Sequence, residues 1–131
     1  MKYISFLLLT AVISFAKKVP DEILRQWHAE TAYYHSICIC ESGVNPVLAN
    51  RVFLYQEFID DPCLTCYLRC IARNMGLLNS LDEALPHIWN QQTANVTYEL
   101  ATICVNQTSM VQDPCKKVLL LALCFCDHLG Q

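Results

Sequence analysis

This chain has few glycines and a small net charge. Three of its 131 residues are glycine, and the formal net charge is −3. So few glycines leave no glycine-rich loop for phosphate or calcium, and the motifs Gly-x-Ser-x-Gly and His-Glu-x-x-His are missing too. A mildly acidic chain with few local basic residues also disfavours nucleic acid and anionic lipid as partners. We therefore expect no enzyme, no catalytic residue and no cofactor.

Alternation of apolar and polar residues with period two is absent over any useful length, so we predict an all-α fold. The apolar run 118–126 is far shorter than the roughly 20 residues that span a bilayer, and no membrane insertion is expected. This run is apolar on every side of a helix. It therefore predicts a helix at the centre of the fold.

The N-terminus has the pattern of a secretory signal peptide. Lys2 is basic, residues 4–13 are almost entirely apolar, and Ser14-Phe15-Ala16 has the small-x-small form of a cleavage site. We predict that residues 1–16 are removed and that residues 17–131 form one secreted, extracellular domain.

Apolar spacing and helix-start signals divide the rest of the chain into six predicted helices. Proline after asparagine or aspartate marks three starts, at Pro46, Pro62 and Pro114. Gly43 and Gly76 mark two ends. The predicted helices run from Pro20 to Gly43, over 46–58, from Pro62 to Gly76, from Asn79 to a bend or end at Pro86, from Gln91 to Cys104, and from Cys115 to Cys126.

Nine cysteines are present, which in a small secreted chain indicates a disulfide framework. Cys66 and Cys70 are four residues apart, so they share one face of a helix and can link it to two partners. Spacing by itself does not rank the pairings that six cysteines allow. The six framework candidates are Cys38, Cys66, Cys70, Cys104, Cys115 and Cys124.

Four groups of residues have the arrangement of a known family. They are Cys38-Ile39-Cys40-Glu41-Ser42-Gly43-Val44, then Asp60-Asp61-Pro62 with Cys66-Tyr67-Leu68-Arg69-Cys70, then Gly76-Leu77-Leu78, and finally Cys104, Cys115 and Cys124. With them the chain resembles the insect odorant-binding protein family, of the pheromone and general odorant-binding (PBP/GOBP) type. The resemblance implies a compact six-helix domain that encloses a hydrophobic cavity. It also implies the disulfides Cys38–Cys70, Cys66–Cys115 and Cys104–Cys124.

Three further cysteines, Cys40, Cys63 and Cys126, lie outside this framework. Because three is odd, at least one is free or paired with another chain. Cys63 could bind a metal together with Cys66 and Cys70, but the implied disulfides use two of those sulfurs, and we expect no metal. Buried, unreactive thiols are the simpler interpretation.

Apolar stripes of the last three predicted helices, together with their positions relative to the framework cysteines in the resemblance, predict the cavity wall. The hydroxyls of Thr97 and Tyr98 or the amide of Asn74 are candidates for selecting the ligand. The same stripes are equally compatible with a filled core. The predicted ligand-binding residues are Leu78, Leu81, Leu85, Thr97, Tyr98, Val118, Leu121 and Phe125.

The resemblance implies a secreted carrier of small hydrophobic molecules such as odorants or pheromones, acting as a monomer or weak dimer. A membrane chemoreceptor is a candidate partner. The alternative is a secreted interaction protein of saliva, seminal fluid or haemolymph whose core is filled.

Two sequons precede the last cysteines, at Asn95 and Asn106. We predict Asn106 in a loop after Cys104, where it could carry a glycan. Asn95 is predicted on a helix, which makes it the less suitable acceptor.

Overall fold

The structure, a computed structural model, describes residues 17–131. The predicted signal peptide, residues 1–16, lies outside the described residues. The described part of the chain is helical, and its only β feature is a bridge between Leu78 and Ala84. The predicted all-α class is thereby confirmed. The helices are α1 Asp21–Thr31, α2 His35–Ser42, α3 Pro46–Tyr55, α4 Pro62–Asn74, α5 Pro86–Gln92, α6 Tyr98–Gln107 and α7 Pro114–Leu129.

A 3-10 turn over Ala32–Tyr34 joins α1 to α2, so the first predicted helix has one interruption. Counted as a single helical stretch, α1 and α2 bring the total to the predicted six. Gly43 ends this stretch with φ at 69°, a left-handed conformation that glycine adopts without a steric clash.

The three predicted starts at proline are confirmed. Asn45, Asp61 and Asp113 each precede a proline, and each side chain accepts a hydrogen bond from a backbone N–H two or three residues further on. Proline fits the first turn because its missing N–H is not needed there. A cap of this kind contributes about 1 kcal/mol to the stability of a helix.

The prediction of a fourth helix from Asn79 to Pro86 is wrong, because the segment between α4 and α5 forms a turn. The Asn79 side chain accepts hydrogen bonds from two backbone N–H groups, including that of Leu81, and so competes with helical pairing. Asp82 has φ at 61°, and Arg69 donates two hydrogen bonds to its carboxylate, of 2.9 and 2.8 Å. The helix begins at Pro86 instead, where we had expected a bend or an end.

The fifth predicted helix, from Gln91 to Cys104, is also wrong in its first half. Helix α5 ends at Gln92, and a turn with Asn95 at φ 65° follows. Helix α6 begins only at Tyr98, because the Thr97 hydroxyl accepts a hydrogen bond from a backbone N–H and caps the new helix.

Three disulfides connect the helices, and their pairing is the one that the resemblance implies. Cys38–Cys70 joins α2 to α4, Cys66–Cys115 joins α4 to α7, and Cys104–Cys124 joins α6 to α7. Helix α4 is therefore linked covalently on two sides.

Helix α7 packs most extensively against α4 and also against α6. Its residues Val118, Leu119, Leu121 and Phe125 are buried. Leu120 and Leu123 are only half-buried, so one face of α7 reaches the surface and the predicted burial on every side is wrong for that face. No helix among residues 17–131 is both long and apolar enough to cross a membrane.

Candidate functional site

An apolar cavity of about 70 Å³ lies among α1, α3, α4, α5 and α7. Aromatic rings from four of these elements and from the α3–α4 loop contribute to its wall. The Cys66–Cys115 disulfide joins α4 and α7, which form two sides of the cavity. The lining residues are Trp27, Glu30, Thr31, Phe53, Phe58, Leu68, Ile71, Ala72, Met75, Leu77, Trp89, Thr93, Val118, Ala122 and Phe125.

Two side chains of helix α1 form hydrogen bonds with the backbone of Ala94, in the turn between α5 and α6. The indole Nε1 of Trp27 donates to the Ala94 carbonyl oxygen at 2.8 Å. The backbone N–H of Ala94 donates to the Glu30 carboxylate, at 3.0 and 3.3 Å from its two oxygens. These contacts join residues more than sixty positions apart, and they place Thr93 against the cavity.

Glu30 is the one ionisable side chain among the residues that line the cavity. Its partial burial raises the pKa of the carboxyl above the ordinary value, and the hydrogen bond from Ala94 offsets this only in part. The cavity therefore has one acidic group and no basic group in its wall.

The polar atoms in the cavity wall differ in their partners. The Thr31 hydroxyl donates to the carbonyl oxygen of Trp27 at 2.9 Å. By contrast, neither the indole Nε1 of Trp89 nor the hydroxyl oxygen of Thr93 has a hydrogen-bond partner among residues 17–131, although both atoms are buried. Trp89 packs against Phe125 with ring centroids 5.2 Å apart.

A second cavity of about 110 Å³ adjoins the first, because Thr31 and Phe53 line both. Its wall is more polar. His35 and the Tyr67 hydroxyl form a hydrogen bond of 2.6 Å there, and burial raises the pKa of Tyr67 to about 12. Phe53 and Thr31 thus lie between an apolar cavity and a more polar one.

Of the eight predicted ligand-binding residues, Val118 and Phe125 lie in the cavity wall. Leu78 and Leu121 are buried in the core outside that wall, and Leu85 is half-buried away from it. The buried residues of α7 therefore serve two purposes, since Val118 and Phe125 line the cavity and Leu121 is part of the packed core.

The other predicted residues point elsewhere. Leu81 is 76% exposed because the helix that would have turned it inward does not form. Tyr98 is 58% exposed at the first turn of α6, and Thr97 is exposed as its cap. Asn74 is exposed too, and its amide donates to the carbonyl oxygen of Cys70. None of the proposed selecting groups reaches the cavity.

Most of the wall comes from residues that the sequence analysis did not assign to the cavity. Trp27, Leu68 and Ile71 belong to apolar stripes of α1 and α4 that are visible in the sequence. A stripe shows that a side chain turns inward, but not whether it meets another side chain or a cavity. Glu30 and Thr93 carried no signal of their own.

A comparison with protein families matches residues 21–128 to the model of the PBP/GOBP family. The chain belongs to this family. The match includes all six framework cysteines and every residue of the cavity wall. PBP/GOBP proteins are binding and carrier proteins of odorants and pheromones rather than enzymes. No curated protein matches the chain at a significant level.

Three cysteines of this PBP/GOBP chain are unpaired in the described part, and the expectation of buried thiols is right for one of them. Cys126 is fully buried, and burial raises the pKa of its thiol to about 12. Cys40 and Cys63 are exposed, because each lies on the outer face of its helix.

Two clusters of potential metal ligands occur in residues 17–131, and each consists of a disulfide and one further side chain. Cys104 and Cys124 lie near His128, and Cys38 and Cys70 lie near Glu41. Because the sulfur atoms are bonded to each other, they are not available as thiolate ligands.

The structure places each sequon in the kind of segment that was predicted for the other, a turn for Asn95 and a helix for Asn106. Asn95 is exposed in the turn before α6, whereas Asn106 lies within the last turn of that helix. The third residue of the second sequon, Thr108, is buried with its hydroxyl donating to the carbonyl oxygen of Cys104. Asn95 is therefore in the more accessible segment.

Proposed function

We propose that this PBP/GOBP protein is a carrier that holds a small, predominantly apolar molecule in the cavity among α1, α3, α4, α5 and α7. The observation that carries the proposal is the composition of the wall, in which apolar and aromatic side chains predominate and polar atoms are few. Ligand sites of this type bury most of a small molecule and use a few polar groups for orientation.

The cavity has to enlarge when it binds a ligand, because its volume in the ligand-free structure is small. About 70 Å³ is less than half of the roughly 150 Å³ cavity that is known to admit benzene. Met75 is part of the wall, and methionine rearranges easily because its side chain is unbranched and flexible. A rotation of Phe53 would open the adjoining cavity of about 110 Å³. A longer ligand would occupy both.

Fluorescence tests this proposal directly, because both tryptophans of the chain, Trp27 and Trp89, line the cavity. We expect the apolar dye N-phenyl-1-naphthylamine to bind and to quench tryptophan emission. Ala122→Leu adds three carbon atoms to the wall and should weaken binding by about tenfold or more, equivalent to roughly 1.4 kcal/mol.

Ala29→Leu is the matched control, since Ala29 is exposed on α1. It should leave the dye affinity unchanged. Equal affinities for wild type and Ala122→Leu, with both proteins folded, would contradict the cavity as the binding site.

We propose further that the protein is secreted, that it is a monomer or weak dimer, and that it delivers its ligand to a membrane chemoreceptor. Three disulfides support an oxidising compartment. Native mass spectrometry of protein secreted by eukaryotic cells, with the N-terminus sequenced, tests secretion and oligomeric state together. An N-terminus that retains residues 1–16 would contradict cleavage of the leader.

A secreted interaction protein is the second candidate. It is favoured by Tyr33 and Ile37, which are 86% and 54% exposed one turn apart. Multi-angle light scattering separates this candidate from a monomeric carrier, because a self-associating surface would raise the mass with concentration, and Tyr33→Ser would abolish the increase.

A further inference from the structure

Trp89 and Thr93 carry the two buried polar atoms without a partner in the part of the chain that the structure describes. Trp89 is 6% exposed and its indole N–H is buried, and Trp89 and Thr93 both line the cavity. Buried polar atoms in folded proteins nearly always have a partner, because leaving one unpaired is unfavourable. Two such atoms in the wall of one small cavity point to a ligand that pairs with both.

Both residues lie at the C-terminal end of α5, Trp89 within the helix and Thr93 directly after it. The backbone N–H of Thr93 donates to the carbonyl oxygen of Trp89 at 3.0 Å, so the residues are one turn apart at the C-terminal end of α5. Thr93 is the residue that follows α5, with an extended backbone at φ −121° and ψ 118°, and it lines the same cavity as Trp89. The contacts of Trp27 and Glu30 with Ala94 hold this end of α5 in place.

An indole N–H only donates hydrogen bonds, and a threonine hydroxyl can donate one. A carbonyl oxygen has two lone pairs and can accept both bonds at once. We propose that Trp89 and Thr93 form a subsite for the carbonyl oxygen of an otherwise apolar ligand, such as a ketone, aldehyde or ester. This inference rests on the proposed function of the cavity as a ligand site.

The same wall disfavours other ligand classes. A carboxylate ligand would meet the Glu30 carboxylate without any basic group in the wall to compensate. A hydrocarbon would leave both donors unpaired. An alcohol leaves one proton unpaired here, because it either accepts from both residues and keeps its own proton free, or donates to the Thr93 oxygen and leaves the Thr93 proton free, unless its proton turns toward Glu30.

Competition against N-phenyl-1-naphthylamine with heptan-2-one, heptan-2-ol and heptane tests the subsite. We expect the ketone to bind more tightly than heptane. Thr93→Val removes one donor and preserves shape, so it should weaken ketone binding roughly 3- to 10-fold, the contribution of one hydrogen bond, and leave heptane unchanged. Trp89→Phe removes the other donor together with the pyrrole ring, so it should lower the ratio of ketone affinity to heptane affinity by a similar factor.

Unfolding in urea gives a readout that does not depend on ligand. Thr93→Val replaces an unpaired buried hydroxyl by a methyl group, so the ligand-free variant should unfold at the same or a higher urea concentration than wild type. Thr102→Val is the control, because the Thr102 hydroxyl lies on α6 and donates to the carbonyl oxygen of Tyr98. It should not change ketone affinity.

The outcomes separate this inference from the proposed function. If ketone and heptane bind equally and neither variant distinguishes them, a trapped water satisfies the two donors and the subsite is refuted, while the carrier function stands. If neither the dye nor any of the three compounds binds, the carrier function itself fails, and the subsite with it. If the alcohol binds more tightly than the ketone and Glu30→Gln removes that preference, the subsite is assigned to the wrong class.

Discussion

Glu30 shows how one residue links the cavity to the pH dependence of stability. Its pKa in the folded protein is raised above 4.5, chiefly because burial disfavours the charged form. A raised carboxyl pKa contributes stability that is fully present below the unfolded pKa and is lost as the pH rises through the folded pKa. Ionisation of Glu30 therefore lowers the stability of the fold.

We predict that Glu30→Gln removes this dependence. The amide oxygen can still accept the hydrogen bond from the Ala94 N–H, and no charge remains to be buried. The stability of the variant relative to wild type should therefore increase between about pH 4 and about pH 7. Urea denaturation of both proteins across this range is the measurement, and a relative stability that falls or stays constant would contradict the prediction.

The three unpaired cysteines differ in accessibility, and we predict that their reactivity follows. Cys126 is fully buried with a pKa of about 12, so little of it is thiolate near neutral pH. Cys40 and Cys63 are exposed. Titration with Ellman's reagent at about pH 8 should modify Cys40 and Cys63 in the folded protein and Cys126 only after denaturation. Rapid modification of Cys126 in the native state would show that the core opens there.

At the scale of the element, the structure distinguishes helix starts that local chemistry specifies from those it does not. The pairs Asn45-Pro46, Asp61-Pro62 and Asp113-Pro114 are predicted correctly because the cap and the proline act within one turn. Asn79-Ser80 has the same kind of signal, but the Asn79 side chain closes a turn instead. Arg69, from a different helix, supports that turn through Asp82.

Leu81 and Leu121 allow a measurement of whether a leucine predicted to turn inward does so. Both were predicted to line the cavity, yet Leu81 is 76% exposed and Leu121 is fully buried. We predict that Leu81→Ala changes the free energy of unfolding by less than about 0.5 kcal/mol, and that Leu121→Ala costs roughly 2 to 5 kcal/mol. Chemical denaturation of the two variants side by side is the test. Comparable losses would show that the segment before α5 packs inward.

At the scale of the whole molecule, the disulfides reduce the conformational entropy of the unfolded chain. Cys66–Cys115 spans 49 residues of sequence and Cys104–Cys124 spans 20. In the chain-entropy account, the longer closure contributes about 4 kcal/mol and the shorter about 3 kcal/mol.

We therefore predict that replacing Cys66 and Cys115 by serine destabilises the protein more than replacing Cys104 and Cys124. The comparison requires denaturation of both double variants without reductant. A larger loss for the Cys104–Cys124 pair would mean that local packing around α6 and α7, rather than loop closure, dominates the effect.

Features that depend on neighbours in the chain could be read from the sequence. These include the all-α class, the starts of α3, α4 and α7, and the burial of the inner face of α7. The cysteine spacing and its flanking motifs pointed to the family that the match over residues 21–128 then established. Each of these signals rests on residues within a few turns of one another, or on a pattern preserved along the whole chain.

Only the tertiary structure decided where the cavity lies and which atoms face it. Val118 and Leu121 belong to the same apolar helix, yet Val118 lines the cavity and Leu121 is packed core. Trp27, Glu30 and Ala94 meet across more than sixty residues of sequence, and this contact positions Thr93 beside Trp89. The physical reason is that a helical stripe specifies the direction of a side chain relative to its own helix. What that side chain meets depends on how separate helices pack.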